Sequence, residues 1–304
     1  MSAKGKVCRI GVVSDGKPGH VNQSLGLAEA LQRLCRDLYI TRIPAMSAGQ
    51  ALARALVRRS SGAESGVSLL LGAGHRTHAS LLALRRIHSC PAVVLMSPSL
   101  PGSFFDLVIA PRHDGGCETD RFWFTDGPIN RIRPAKKRPG LGLMLVGGPS
   151  PHFDWRTNEL VEQIAKLCDG TIQWELSTSR RTPPDFLRIL DSLHLPGLDA
   201  RSPEQRPEDW LPSVLPGAET CWVSPDSVSM VYEALSSGAA VGIFDLPPVT
   251  GSRVAESMAD LVCRGLLASS SQATTPGALA PSEQVFSEAD RIARKIVDLG
   301  WLEC

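Results

Sequence analysis

The feature that most constrains this chain is a rhythm repeated along nearly its whole length. A short apolar run is followed by a polar, glycine-bearing turn and then by a stretch whose apolar residues recur at helical spacing. Such a succession is what βαβ units around a parallel sheet require. A strand buried on both faces reads as a continuous apolar run, and reaching the next parallel strand takes a crossover helix. In the first half, strands are expected at residues 7–13, 38–43, 67–71, 92–96 and 107–110, and helices at 22–36, 48–59 and 78–87. The first of these helices sets Leu27, Ala28, Leu31, Leu34 and Cys35 on one face.

Residues 131–140 read RIRPAKKRPG, with prolines, a glycine and a basic run but no apolar periodicity, so a solvated connection between domains is expected there. The rhythm then restarts, with strands expected at 141–146, 171–176, 220–223 and 239–243 and helices at 154–168, 184–193, 226–236 and 253–261. The fold class expected is therefore α/β, with one domain at 1–135, a second at 140–281, and a helix within 282–304 packing back on the first. Residues 195–216 carry five prolines and read as a loop with a short helix, and 269–281 are small and polar.

A chain of 304 residues has room for two cores. Its formal charge of +1 provides no global field for nucleic acid, so an anionic ligand must be met by local groups. No stretch of about 18 apolar residues is present to span a bilayer, and the start lacks the pattern of a secretory signal. A cytoplasmic protein is expected, with the basic run 131–138 as the place for a peripheral contact with anionic lipid on the inner membrane face. The eight cysteines have neither CxxC nor zinc-type spacing, and reduced thiols are expected. Cys8, Cys35, Cys168 and Cys221 read as small buried hydrophobes.

In open parallel sheets ligands sit beyond the carboxyl ends of the strands, where loops meet helix N-termini. Four such turns stand out. Ser14-Asp15-Gly16-Lys17-Pro18-Gly19-His20 follows the first strand. Gly16 and Gly19 allow close backbone approach, Lys17 supplies a cation, and Asp15 and His20 can handle a proton. A plain turn with Asn22 as helix cap is the structural alternative. Gly72-Ala73-Gly74-His75-Arg76-Thr77-His78 begins like a dinucleotide fingerprint but lacks its third glycine. His75 and His78 have no third ligand nearby, so a polar cleft-lining loop is expected and no metal, with an ordinary helix start as the structural alternative.

In the second half, Gly147-Gly148-Pro149-Ser150 and Ser177-Thr178-Ser179-Arg180-Arg181 lie at successive strand ends. Glycines, hydroxyls and paired guanidinium groups suit a diphosphate, with a solvated arginine pair as the alternative. Ser224–Ala234 reads as a helix start capped by Asp226. Ser227 and Ser229 can face an anion, and Glu233, two turns on, can take the two hydroxyls of a ribose unless it is a plain surface charge. There is no GxxxxGK[ST], GxSxG, HExxH or complete GxGxxG, and no Asp-x-Asp follows a strand, which disfavours a metal-chelating nucleotide-sugar site.

Taken in order, SDGKPGHVNQSLGLAEAL, LLGAGHRTH, VVLMSPSLP, LVGGPS, STSRRTP and SVSMVYEALSSGA resemble the ELM family. These are bacterial proteins similar to a plant mitochondrial-fission factor and treated as glycosyltransferases. The resemblance implies a GT-B-like fold, two Rossmann-like doubly wound parallel-sheet domains facing a cleft, with the nucleotide sugar on the second and the acceptor on the first. It also implies a part in building envelope glycans such as the lipopolysaccharide core. Carried over, Gly147, Gly148 and Ser150 resemble the loop near the sugar diphosphate, Ser179, Arg180 and Arg181 its basic clamp, and Ser227, Ser229 and Glu233 the phosphate and ribose contacts. Residues 195–216 and 269–281 match nothing in that pattern.

The reaction expected is metal-independent transfer from a nucleotide diphosphate sugar, bound as donor substrate rather than as a resident cofactor, to an envelope glycan or glycolipid. His20 or Asp15 is the expected base, His75 the weaker candidate, and Gly16, Lys17, Gly19, Gly74 and Arg76 line the acceptor side. A nucleotide-sugar epimerase or hydrolase on the same fold, and a non-catalytic scaffold, are the alternatives.

Overall fold

The computed structural model describes residues 8–56, 66–115, 117–207, 209–271, 279–280 and 286–302. The chain divides into two compact units, Met1–Arg131 with Ser287–Cys304, and Ile132–Phe286.

The first unit contains β1 (Cys8–Ser14), α1 (Pro18–Leu34), β2 (Leu38–Pro44), α2 (Ala48–Leu56), β3 (Leu69–Ala73), α3 (His78–His88), β4 (Ala92–Leu95), β5 (Leu107–Pro111) and β6 (Phe122–Thr125). Its strands pair in parallel in the order β2-β1-β3-β4-β5-β6, the doubly wound order whose direction of winding reverses between β1 and β3. Helices cover both faces, so β3, β4 and β5 are buried throughout and read as unbroken apolar runs. Leu27 and Leu31 of α1 share one core with Ile292, Ala293 and Ile296 of the C-terminal helix, while Leu81 and Leu84 of α3 pack with Leu70 and Val94 on the opposite face.

The second unit contains β7 (Leu141–Leu145), α4 (Thr157–Leu167), β8 (Gln173–Ser177), α5 (Phe186–Ser192), β9 (Leu198–Arg201), α6 (Trp210–Val214), β10 (Thr220–Val223), α7 (Val228–Ser236), β11 (Ala240–Ile243), α8 (Arg253–Cys263) and β12 (Ala268–Ser269). The C-terminal helix of the first unit is α9 (Glu288–Asp298). Here the parallel order is β12-β11-β10-β7-β8-β9, the Rossmann order, with its reversal between β7 and β10.

Several segments differ from the sequence reading. Helix α1 begins at Pro18 rather than at residue 22, because proline with its fixed φ suits the first helical position; Gly19 and His20 thus belong to the first turn. β6, β9 and β12 are additional short strands. The proline-rich stretch is organised by Arg206, whose guanidinium meets Glu175 at 3.3 Å and Asp199 at 3.1 Å and lies 4.5 Å over the Trp210 ring. Trp210 in turn donates Nε1–H to Glu175 at 2.9 Å.

The basic run is mostly exposed and lies at the boundary between the two units, but two of its residues are bound to protein. Arg131 pairs with Glu29 at 2.6 Å, and Lys137 donates Nζ–H to the carbonyls of Pro216 and Ser237. Burial pushes the Lys137 ammonium below its ordinary pKa. Cys168 and Cys221 lie in the core, and burial pushes the Cys168 thiol up to about 12. Cys35 is disulfide-bonded, against the expectation of reduced thiols throughout. Most of 269–281 falls on 272–278 and 281, which lie outside the described residues, as do 282–285 of the expected C-terminal helix. Among the described residues no helix is long and apolar enough to cross a membrane.

Two glycines in the second sheet set its packing. Trp174 on β8 lies opposite Gly142 on β7, and Trp222 on β10 opposite Gly242 on β11. A Cβ on Gly142 would come within 2.4 Å of the Trp174 ring, and one on Gly242 within 2.6 Å of the Trp222 ring. Each buried indole therefore occupies the room of a missing side chain. Gly142→Ala is expected to cost about 1–3 kcal/mol of unfolding free energy through overpacking, measured by denaturant titration. A variant as stable as the parent would show that Trp174 does not depend on that space.

Candidate functional site

In a doubly wound sheet the first and next strands carry their helices to opposite faces, which opens a crevice at their carboxyl ends. Each unit has one such point. The four glycine-bearing or capped turns singled out in the sequence fall at these points or beside them.

In the first unit the point lies between β1 and β3. After β1 the chain turns on itself. Gly16, at φ +80°, donates its N–H to Ser14 Oγ at 3.2 Å, and the Lys17 N–H reaches Asp15 Oδ1 at 3.1 Å. Starting α1 at Pro18 places His20 in its first turn, where Nδ1 lies 2.9 Å from Asp15 Oδ2. The Asp15 side chain is only 1% exposed and that of His20 18%. Burial acts to raise the Asp15 carboxyl, but the His20 hydrogen bond, the Lys17 N–H and the charges of His20 and Lys17 together hold it below its usual 3.8.

The turn after β3 is brought against this pair. Gly74 sits at φ +80°, and a Cβ there would fall 2.3 Å from Cε1 of His20. Glycine is thus required twice at Gly74, by the backbone and by the imidazole packed over it. Thr77 fixes the turn by donating Oγ–H to the Gly74 carbonyl at 2.8 Å. A cavity of about 900 Å³ opens between the strand ends, with Ser14, Asp15, Gly16, Arg42, Ser47, His75 and Arg76 on its wall. His20 is not on that wall, although its partner Asp15 is. Lys17 and Gly19 are exposed, with the Lys17 backbone holding Asp15. His78 turns away into the core, edge-on to Phe105 at 5.2 Å, and burial followed by the charge of His75 lowers its pKa.

In the second unit the point lies between β7 and β10. The turn after β7 is bonded directly to the turn after β10, with Gly147 N–H donating to Ser224 Oγ at 2.7 Å and Gly148 N–H to Asp226 Oδ2 at 2.9 Å. The turn after β8 joins through Arg181, whose Nη2 meets the same Asp226 oxygen at 2.8 Å while Nη1 donates to the carbonyls of Gly148 and Pro149 at 3.0 Å. Thr182 adds a short hydrogen bond to the Gly147 carbonyl. Both glycines are obligatory. A Cβ on Gly147 would lie 2.1 Å from the Asp226 carboxylate, and one on Gly148 2.3 Å from the Arg181 carbonyl.

These bonds assign several residues differently from the sequence reading. Asp226 is not the cap of α7, which starts at Val228 with Ser227 at the cap position and no side-chain capping bond. The Asp226 carboxylate reaches back to Gly148 and Arg181, and its Oδ1 is buried with no hydrogen-bond partner among the described residues. The amides of Gly147 and Gly148 and the guanidinium of Arg181 are engaged by protein. Ser179 shapes its own turn, its N–H bonded to Thr182 Oγ1 and its Oγ accepting from the Arg181 N–H, and Ser150 Oγ accepts from His152. What faces outward is Arg180 and Ser229, both exposed, with Ser227 and Glu233 partly buried along the same helix. The first-turn N–H groups of α7 have no acceptor within the helix. Together these groups can hold an anion at the start of α7 and a diol one to two turns further on.

Ser224, Asp226 and Thr182 as the parts that join the turns, and Gly74 as the seat of His20, were not legible locally. The nearest signal was the Gly-Gly pair after a strand, which marks close approach without saying what approaches.

The comparisons with known proteins agree with this architecture. A Listeria monocytogenes protein assigned as a UDP-N-acetylglucosamine 2-epimerase superposes with a TM-score of 0.55 at 12% identity, covering 98% of each chain. The Escherichia coli heptosyltransferase WaaC with ADP gives 0.48 at 9% identity over 96% of this chain and 99% of that one, and Acinetobacter baumannii MurG 0.47 at 13% over 97% and 92%. At such identities the likeness is one of fold, and it rests on the first; the fold is α/β and GT-B-like. No curated protein sequence matches the chain. The profile of the Mitochondrial fission ELM1 family, by contrast, matches residues 18–299, nearly the whole length, and the chain belongs to that family.

Proposed function

We propose that the protein is a metal-independent glycosyltransferase that moves a sugar from a nucleotide diphosphate donor to an envelope glycan or glycolipid acceptor, the lipopolysaccharide core being the acceptor class favoured. The observation that carries this reading is the meeting of three strand-end turns at the β7/β10 reversal, beside the uncapped start of α7. The start of α7 and Arg180 take the diphosphate, and Glu233 the ribose. Arg181 is a positioning residue, holding the 147–149 turn through Asp226. On the acceptor side, Asp15 holds the His20 Nδ1–H, leaving Nε2 as the basic nitrogen.

The step balances as follows. His20 Nε2 takes the proton of an acceptor hydroxyl as its oxygen bonds to the anomeric carbon. The bond from that carbon to the diphosphate oxygen breaks, and the leaving diphosphate keeps the electron pair. Charge grows on the diphosphate during this step, so donors fixed at that point lower the barrier. A nucleotide-sugar epimerase or hydrolase is the second reading, favoured by the likeness to the Listeria protein. Donor incubated without acceptor separates the two, since release of free sugar or of an epimer belongs to the second.

Nucleotide binding is expected to stabilise the chain by about 3 kcal/mol at about a hundredfold excess over Kd, read as a rise in Tm with UDP, GDP, ADP or CMP. Glu233→Ala should weaken that response by more than any change in the unliganded Tm accounts for. No response to any nucleotide would contradict the reading, and an unchanged affinity in the variant would remove Glu233 from the site.

For the dyad, His20→Ala should lower turnover by about 10²–10⁴-fold. Asp15→Asn has a stability signature as well. The folded-state carboxyl is held below 3.8, so its contribution is complete above that value and lost as pH falls through the folded value. The variant should therefore melt below the parent at neutral pH, with the gap closing once the pH drops under 3.8. A gap independent of pH would contradict the pairing.

A further inference from the structure

The cavity of the first unit carries more cationic character than a neutral sugar needs. Several other arginines of that unit are matched by carboxylates, Arg33 by Asp290, Arg85 by Asp106 and Arg131 by Glu29. Arg42, at the end of β2, and Arg76, in the turn after β3, are exposed on the cavity wall, and neither has a hydrogen-bond or ion-pair partner among the described residues. His75 stands beside them on the same wall, exposed and likewise without a partner among the described residues.

The wall also receives the start of α2. Ser47 forms a capping box there, its N–H bonded to Gln50 Oε1 at 3.0 Å and its Oγ accepting from the Gln50 N–H at 3.3 Å. The amides of Ala48 and Gly49 are left as the uncommitted donors of that first turn. The carboxylate on the wall, Asp15, is already matched by His20 and the Lys17 amide. Two guanidinium groups, an imidazole and a helix start therefore border a space of about 900 Å³ whose carboxylate is already hydrogen-bonded by protein.

We propose that this cavity recognises an anionic sugar, a phosphate monoester or carboxylate carried on the acceptor glycan, through Arg42 and Arg76. Guanidinium forks match the paired oxygens of either group, and the cavity is large enough for one or two sugar rings beside it. Arg42 and Arg76 then select acceptors by charge, while the Asp15–His20 pair serves the hydroxyl. This inference rests on the glycosyl-transfer reading and names its acceptor class.

Glucose 6-phosphate, glucuronate and glucose serve as probes with the full chain, binding being read by titration calorimetry, and UDP is titrated separately. Glucose 6-phosphate or glucuronate should bind where glucose does not, and whichever binds identifies the anion. Arg42→Gln and Arg76→Gln should each weaken that binding by about tenfold or more, the loss of one charged hydrogen bond, with UDP affinity and Tm unchanged. Equal binding of glucose and the two anions, absence of binding by all three, or unweakened binding of the anions in both variants would overturn the proposal. Loss of the UDP response in the parent chain, with anionic-sugar binding retained, would instead fault the donor site and leave this inference standing.

Discussion

One buried carboxylate holds the candidate donor site together. Asp226, with a side chain 1% exposed, accepts from the Gly148 amide and from Arg181, and so ties the turn after β10 to those after β7 and β8. A buried charge of this kind is tolerated only when its partners are in place, and removing one partner costs more than the pair itself contributes. The glycines at 147 and 148 follow from it, since any Cβ there would strike the carboxylate or the Arg181 backbone. Once these turns are fixed, the start of α7 and Arg180 are left facing outward.

The first unit solves the same problem with different parts. There the packing of His20 over Gly74, rather than a shared carboxylate, brings the turns after β1 and β3 together, and Asp15 orients the ring. In both units the join lies where the winding of the sheet reverses, β1 against β3 and β7 against β10. Topology thus decides where the turns meet, and single glycines decide how closely.

The parallel sheets were legible in the sequence because strands buried on both faces leave unbroken apolar runs, as in Leu69–Ala73 and Thr220–Val223. Strands that fail this test went unread. Leu198–Arg201 is a half-exposed edge strand among prolines, and Ala268–Ser269 has too few residues to show a pattern. The same limit applies at the sites. Pro18-Gly19 looks like a turn locally but opens a helix, and Asp226 looks like a cap although its carboxylate finds partners 45 and 78 residues away. Local chemistry identifies a group that will seek a hydrogen bond; the partner is set by the strand order, which no short motif contains.

The most direct test of the joined turns is a double-mutant cycle on Arg181→Ala and Asp226→Asn, read by denaturant unfolding. With Asp226 as the shared partner, the two losses should fall short of additivity by about 1–3 kcal/mol, because Arg181 has less to hold once the carboxylate is gone. Strictly additive losses would mean that the turns after β8 and β10 are stabilised independently, and that no single carboxylate organises the site.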